Sequence, residues 1–235
     1  MRILITAGNT QTPIDRVRCL TNIFTGRTGA RIAVEAHRRG HAVSLLTSHP
    51  ETVAEVPGIA VTPYRTFDDL HGSMAEFVPS GKFDALIHTA AVSDYKLGGA
   101  YSVRPANGTS ATEFTEVSNT GKLSGRHAEL WMKFTPTPKL VDFVRDLWRF
   151  SGILVKFKLE VGASDDELLA IARTSRAHSD ADFLVANTLE HYETDAWLID
   201  RADIADRISR NELPTTLLDR IELIFSAPSG SDRAK

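Results

Sequence analysis

Three stretches of this sequence carry the small, amide, hydroxyl and charged residues from which a phosphate- or nucleotide-handling crevice is built. The first is Gly8-Asn9-Thr10, followed by Val17-Arg18-Cys19-Leu20-Thr21-Asn22 and Thr25-Gly26-Arg27-Thr28-Gly29. Glycine lets backbone N–H groups approach an anion closely, and a helix opening at that point adds the positive end of its dipole. Neither general phosphate fingerprint is met, because G-x-G-x-x-G fails after Gly8 and G-x-x-x-x-G-K-[ST] is absent. On residue type alone, Gly26 and Gly29 are equally well explained as shaping a helix start. The second stretch is His88-Thr89-Ala90-Ala91-Val92-Ser93-Asp94-Tyr95-Lys96. Its small residues leave room for a base or sugar, and Asp94 can accept from ribose hydroxyls, sit near a metal, or simply cap a turn. The third, residues 97–120, is rich in Gly, Ser, Thr and Asn and leads into Lys122. A run of this length without helical or strand period is, inside a compact domain, a lid or a disordered segment.

The elements that position these stretches are legible in the apolar pattern. Short apolar runs at 3–7, 42–47, 59–63 and 85–89 alternate with helical spacing at 30–39 and 66–78. That alternation predicts parallel strands joined by helical crossovers. Leu140, Phe143, Val144 and Leu147 recur at helical spacing before an apolar run at 153–157. Ser164 with Glu167 is a capping box ahead of Leu168, Leu169, Ile171 and Ala172, and a strand at 183–186 follows. A last helix is expected over 214–225. The expected architecture is α/β: one doubly wound, mostly parallel, Rossmann-like sheet over residues 1–225, with a long active-site flap at 97–120. The Ser/Gly-rich tail 226–235 has too little apolar content to pack and is expected to be disordered.

Composition excludes several classes. Net charge of −3 and no Lys/Arg run leave no basic field for nucleic acid. No apolar run approaches the roughly 20 residues that span a bilayer, so no membrane association is expected. The single cysteine, Cys19, forms no internal disulfide, and the opening residues lack the pattern of a signal peptide. A cytoplasmic location is the expectation.

Taken together, several strings resemble the phosphopantothenate-cysteine ligase (phosphopantothenoylcysteine synthetase) family over about residues 2–225. They are residues 17–22 and 25–29, Ala90-Ala91-Val92-Ser93-Asp94-Tyr95, Lys122, Thr135-Pro136-Thr137-Pro138, Phe157-Lys158-Leu159-Glu160 and Val185-Ala186-Asn187. The resemblance is to a stand-alone form, without the flavin-dependent decarboxylase half to which many bacterial members are fused. It implies a ligase of coenzyme A biosynthesis that activates the carboxylate of 4'-phosphopantothenate with a nucleoside triphosphate. Pyrophosphate leaves, and the amine of cysteine then displaces the nucleotide. CTP is expected in preference to ATP, hence an acyl-CMP intermediate, with Mg2+ and a homodimer.

The resemblance also implies roles. Asn22 contacts the acyl-nucleotide, Arg18 places the phosphorylated substrate, and Lys122 neutralises triphosphate charge. Gly8, Thr25, Gly26, Arg27, Gly29, Ala90, Ala91, Asp94 and Phe157 hold the nucleotide, and no protein metal ligand is assigned. Without the resemblance, Lys122 reads as a solvated surface lysine and Phe157 as core. This chain has Asn9 where many members have a second glycine, and Arg27 where they have lysine. Its flap lysines are reduced, so Lys96 and Lys133 compete with Lys122 for the role. The rival readings are a catalytically silent nucleotide-binding protein of the same fold and an NAD(P)-dependent reductase. The reductase lacks its Tyr-x-x-x-Lys pair and an acid near Leu46-Thr47-Ser48-His49-Pro50 for the adenosine ribose. His37 and His41 are better explained as surface residues than as metal ligands.

Overall fold

Every residue of the first strand after Arg2 is buried, as a strand covered on both faces requires. The computed structural model describes residues 1–105 and 112–227. That first strand, Arg2–Ala7 (β1), leads into a short hairpin, Gln11–Pro13 (β2) and Cys19–Thr21 (β3), and then helix Arg27–Arg38 (α1). Strands Ala42–Thr47 (β4) and Ala60–Pro63 (β5), helix Phe67–Phe77 (α2) and strand Ala85–His88 (β6) complete the first half. Three strands follow, Tyr95–Pro105 (β7), Thr112–Glu116 (β8) and Leu130–Pro136 (β9). The second half runs Leu140–Asp146 (α3), Ile153–Glu160 (β10), Asp165–His178 (α4) and Phe183–Thr188 (β11). It ends with Asp195–Asp200 (β12), Ala205–Ser209 (β13) and Leu213–Ser226 (α5).

The main sheet has eight strands in the order β13-β12-β11-β10-β6-β1-β4-β5. Six are parallel, and β12 and β13 add to the edge antiparallel. The doubly wound, mostly parallel sheet read from the sequence is therefore the observed one; the antiparallel extension was not foreseen. Ile3, Ile5, Ile87 and Val155 face α1 and α5, meeting Ile32, Ala33, Leu217 and Leu218. Leu4, Leu86 and Leu154 face α2 and α3, meeting Leu70, Met74, Leu140 and Val144. The capping box Ser164/Glu167 opens α4 as expected, and Thr66 with Asp69 forms a second one at α2.

The stretch 97–120 corrects an expectation. Its described part forms β7 and β8, which pair with β9 in a three-stranded antiparallel sheet, order β8-β7-β9. The alternation was hidden because Gly98 and Gly99 interrupt it, and the register shifts between Leu97 and Gly99. A small satellite core of Ile14, Ala100 and Leu123 fastens this sheet to the loop that follows β2. Residues 106–111, and 228–235 of the expected tail, lie outside the described residues.

Candidate functional site

The strand order reverses at β1, with β4 and β5 on one side and β6, β10 and β11 on the other. Open parallel sheets bind ligands beyond the carboxyl ends of their strands at such a point. Here the loops leaving β1 and β6 run side by side. Ala91 N donates to Gly8 O at 2.8 Å, Thr10 N to Ala91 O at 3.2 Å, and Ser93 N to Thr10 Oγ1 at 2.7 Å. Asn22 joins them: its Nδ2 donates to Ala91 O at 3.1 Å, while its own carbonyl accepts from Asn9 Nδ2 at 2.7 Å. Asn9 thus buttresses Asn22. Ser48, beyond β4, accepts from Asn9 N at 2.9 Å.

The glycines are tight for backbone reasons. Gly26 has φ +78°, and a Cβ there would stand 2.3 Å from Gly8 N; one on Gly29 would stand 2.6 Å from Ala7 Cβ. The start of α1 is thereby pressed onto the β1 loop, with Thr25 and Arg27 exposed beside it. Gly40 has φ +84° but open space around its would-be Cβ. Left-handed strain alone costs about 1–2 kcal/mol. Gly26→Ala, which must also displace backbone, should cost more than Gly40→Ala and lower the unfolding temperature by several degrees further. Thermal unfolding of the two variants decides this; equal shifts would deny the close approach.

Arg18 and the backbone next to Lys122 meet at a second junction. The Asp15 carboxylate, with no side-chain exposure, accepts from Arg18 Nε at 2.9 Å, Arg18 N at 2.8 Å, Val17 N at 2.9 Å and Leu123 N at 3.0 Å. Arg18 Nη2 donates to Leu123 O at 2.9 Å, and Arg16 N to Gly121 O at 3.2 Å. The Arg18 guanidinium holds the Asp15 carboxyl far below the usual carboxylate range. Arg18 is accordingly committed to fastening the Lys122 segment, with its remaining surface half-exposed. Lys122 itself is exposed between two anchored neighbours. Asp15 escaped the sequence reading, although an acid three residues before Arg18 was a readable pairing signal.

Asp94 is exposed and forms an ion pair with Lys139, at the start of α3. Thr137 ties the same segment down: its N donates to Asp94 O at 2.9 Å and its Oγ1 to Ser93 O at 2.6 Å. Lys139, the partner of Asp94, was missed by the sequence reading, although it directly follows the quoted Thr-Pro-Thr-Pro string. Phe157 is not drawn into these contacts; it packs half-buried against the core beneath α1 and α5.

Under the β6 loop lies a buried polar row. Thr6 Oγ1 and His88 Nδ1 are 2.8 Å apart, and Ala90 N donates to Thr6 Oγ1 at 3.3 Å. Burial, with the Lys156 charge adding to it, pushes His88 down to about 4. A histidine held neutral when folded titrates near 6.5 when unfolded, so the unfolded state binds the extra proton between these values. Stability should therefore rise with pH across 4 to 6.5, by up to about 3 kcal/mol from this group. Denaturant unfolding at pH 7 and pH 5 should show the wild type losing more than His88→Gln; equal losses would contradict it.

The DNA/pantothenate metabolism flavoprotein C-terminal domain matches residues 1–104. A coenzyme A biosynthesis bifunctional protein of Thermococcus kodakarensis is 31% identical over 228 residues, 94% of this chain and 51% of that protein. The chain thus spans about half the length of the curated relatives it matches. The crystal structure of a DNA/pantothenate metabolism flavoprotein from Streptococcus pneumoniae superposes with a TM-score of 0.80 at 26% identity, covering 95% of this chain and 99% of that one. A Cab2 mutant in complex with phosphopantothenate-cysteine has the same fold, with a TM-score of 0.71 at 15% identity over 94% of this chain and 86% of that one. Residues 1–104 are thus similar in sequence to the DNA/pantothenate metabolism flavoprotein C-terminal domain, and the chain shares the fold of the Streptococcus pneumoniae protein over nearly its whole length.

Proposed function

We propose that residues 1–225 form a single phosphopantothenate-cysteine ligase domain acting in the cytoplasm. It joins 4'-phosphopantothenate to cysteine through an acyl-nucleotide, with CTP used in preference to ATP. The observation that carries this reading is the convergence of Asn22, the Ala90–Ala91 backbone and the glycine-packed start of α1 at one switch-point crevice. A relative's participation in coenzyme A biosynthesis and another's binding of phosphopantothenate-cysteine support it.

The chemistry asks for positioning and charge neutralisation, since a free carboxylate becomes an acyl donor only once it carries a good leaving group. Asn22, held by Ala91 O and Asn9, keeps its carboxamide oxygen for the reacting carboxyl–phosphate linkage. Exposed backbone N–H groups at the start of α1 and Arg27 suit phosphate, and Lys122 supplies charge from the anchored segment beside Asp15. Among the described residues no three acids, histidines or cysteines cluster as metal ligands. Mg2+ would therefore arrive on the triphosphate, which commonly keeps its own waters, and no step is assigned to a protein-held ion.

The small sheet supports a homodimer. Tyr101, Phe114 and Trp131 line an open cleft with Lys133, and Phe114 and Trp131 are about half exposed, an apolar face suited to a second copy. Among the described residues no helix is long and apolar enough to cross a membrane.

Pyrophosphate release tests the reading: it should require phosphopantothenate and be fastest with CTP. Release equal to background with every triphosphate would overturn it, whereas faster release with ATP would overturn only the choice of nucleotide. A silent nucleotide binder would bind triphosphate and release nothing.

A further inference from the structure

Helices α1 and α5, with the loop that joins β13 to α5, carry arginines of two kinds. Arg38 and Arg39 of α1 and Arg220 of α5 are paired with carboxylates, whereas Arg27, Arg31 and Arg210 form no ion pair among the described residues. The unpaired ones stand together. Arg210 Nη2 donates to Thr28 Oγ1 in the first turn of α1, and Arg31 Nη2 donates to Asn211 Oδ1 at 3.3 Å. Arg27, Arg31 and Asn211 line one cleft of about 550 Å³ between α1 and α5. Acids close by are engaged elsewhere: Glu35 on the cleft wall accepts from Arg38 and Arg39, and Glu193 from the Tyr192 hydroxyl.

As it stands, this grouping is unfavourable. The N-terminal end of a helix favours anions, and α2 opens on Asp68 and Asp69 and α4 on Asp165, Asp166 and Glu167. Helix α1 opens instead on Arg27, with no acidic residue in its first turn. Burial, with the Arg31 charge adding to it, pushes Arg210 down, while Tyr192 and Glu193 act the other way. The loop is nevertheless fixed in place, since Arg210 N donates to Thr194 O at 2.8 Å. Its position is the α1 wall of the crevice. Thr28 precedes Gly29, whose would-be Cβ meets Thr89 Oγ1 at 2.5 Å and Ala7 Cβ at 2.6 Å. Guanidinium groups free of carboxylates, set around a helix start, match the charge and the planar acceptor geometry of phosphate.

We propose that Arg210, together with Arg27 and Arg31, holds a phosphoryl group of a co-substrate. The inference rests on the ligase reading for the identity of its ligands, and it brings the second half of the chain into the site. The phosphoryl group has two sources in that reaction, the triphosphate and 4'-phosphopantothenate.

Calorimetric titration of pyrophosphate, CTP, 4'-phosphopantothenate and pantothenate into wild type and four variants tests this, with thermal unfolding alongside. Arg210→Gln should bind a phosphorylated ligand at least about tenfold more weakly, and Arg210→Lys should recover part of the affinity. Arg31 is exposed, so Arg31→Gln should unfold close to wild type and still weaken the same ligand about threefold; it decides the matter should Arg210→Gln not fold. Arg38→Gln removes an equal charge from the same helix and should leave affinity unchanged. Loss for CTP and pyrophosphate assigns the phosphoryl group to the triphosphate. Loss for 4'-phosphopantothenate, with pantothenate indifferent to the substitutions, assigns it to the acyl substrate. Unchanged affinity for every phosphorylated ligand in Arg210→Gln and Arg31→Gln, or an equal loss in Arg38→Gln, would overturn the proposal, as would a wild type that binds none of them. A wild type that shows the expected binding but releases no pyrophosphate in the complete reaction would remove the ligase reading and leave the phosphoryl site standing.

Discussion

Replacing Asp15 by asparagine should lower kcat/KM by on the order of a hundredfold, because about 1 Å of misplacement at a reacting group can cost that much. Asp15 receives Val17 N, Arg18 N, the Arg18 guanidinium and Leu123 N on two oxygens with no exposed side-chain surface. An asparagine of the same shape turns one of those acceptors into a donor facing other donors, and removes the charge that fixes Arg18. The segment 121–123 then loses two of its ties at once, since Arg18 also holds Leu123 O. Hydrogen exchange at Leu123 should accelerate together with the kinetic loss. Wild-type kcat/KM in Asp15→Asn would show that the position of Lys122 does not depend on this junction.

Lys122→Gln should abolish formation of the acyl-nucleotide while leaving the unfolding temperature within a degree or two of wild type. The side chain is exposed, and substitutions at such positions change stability by about 0.5 kcal/mol or less. Its backbone neighbours keep their ties to Asp15, Arg16 and Arg18, so what is lost is charge and not shape. Pyrophosphate release and calorimetric unfolding, measured on one preparation, check both halves. Retained release would shift the role to Lys96 of β7 or Lys133 of β9, which the structure places on the small sheet.

The sheet was readable because its strands are short apolar runs and its helices keep a period; β1, β4, β6, β10 and β11 all fall where the runs predicted. The small sheet was not. Gly98 and Gly99 erase the alternation in β7, and Phe114 and Trp131 point outward, so neither strand shows a buried face in its sequence. β12 and β13 were missed because they are short: the apolar run Ala196-Trp197-Leu198-Ile199 is bounded at once by Asp195 and by the charged Asp200-Arg201. In the site, Asn22, Gly8, Ala90 and Ala91 were legible as strings, and the structure brings them together. Arg18 was legible as a charge but not as a partner of Asp15.

The most direct test of the account is to trap the activated carboxylate. Enzyme, 4'-phosphopantothenate and CTP incubated without cysteine should yield, by mass spectrometry, a mixed anhydride of phosphopantothenate and CMP. Adding cysteine should consume it and release CMP and the amide in equal amounts. Product appearing only when cysteine is present, with no anhydride at any time and no CMP formed, would contradict activation through an acyl-nucleotide in this crevice.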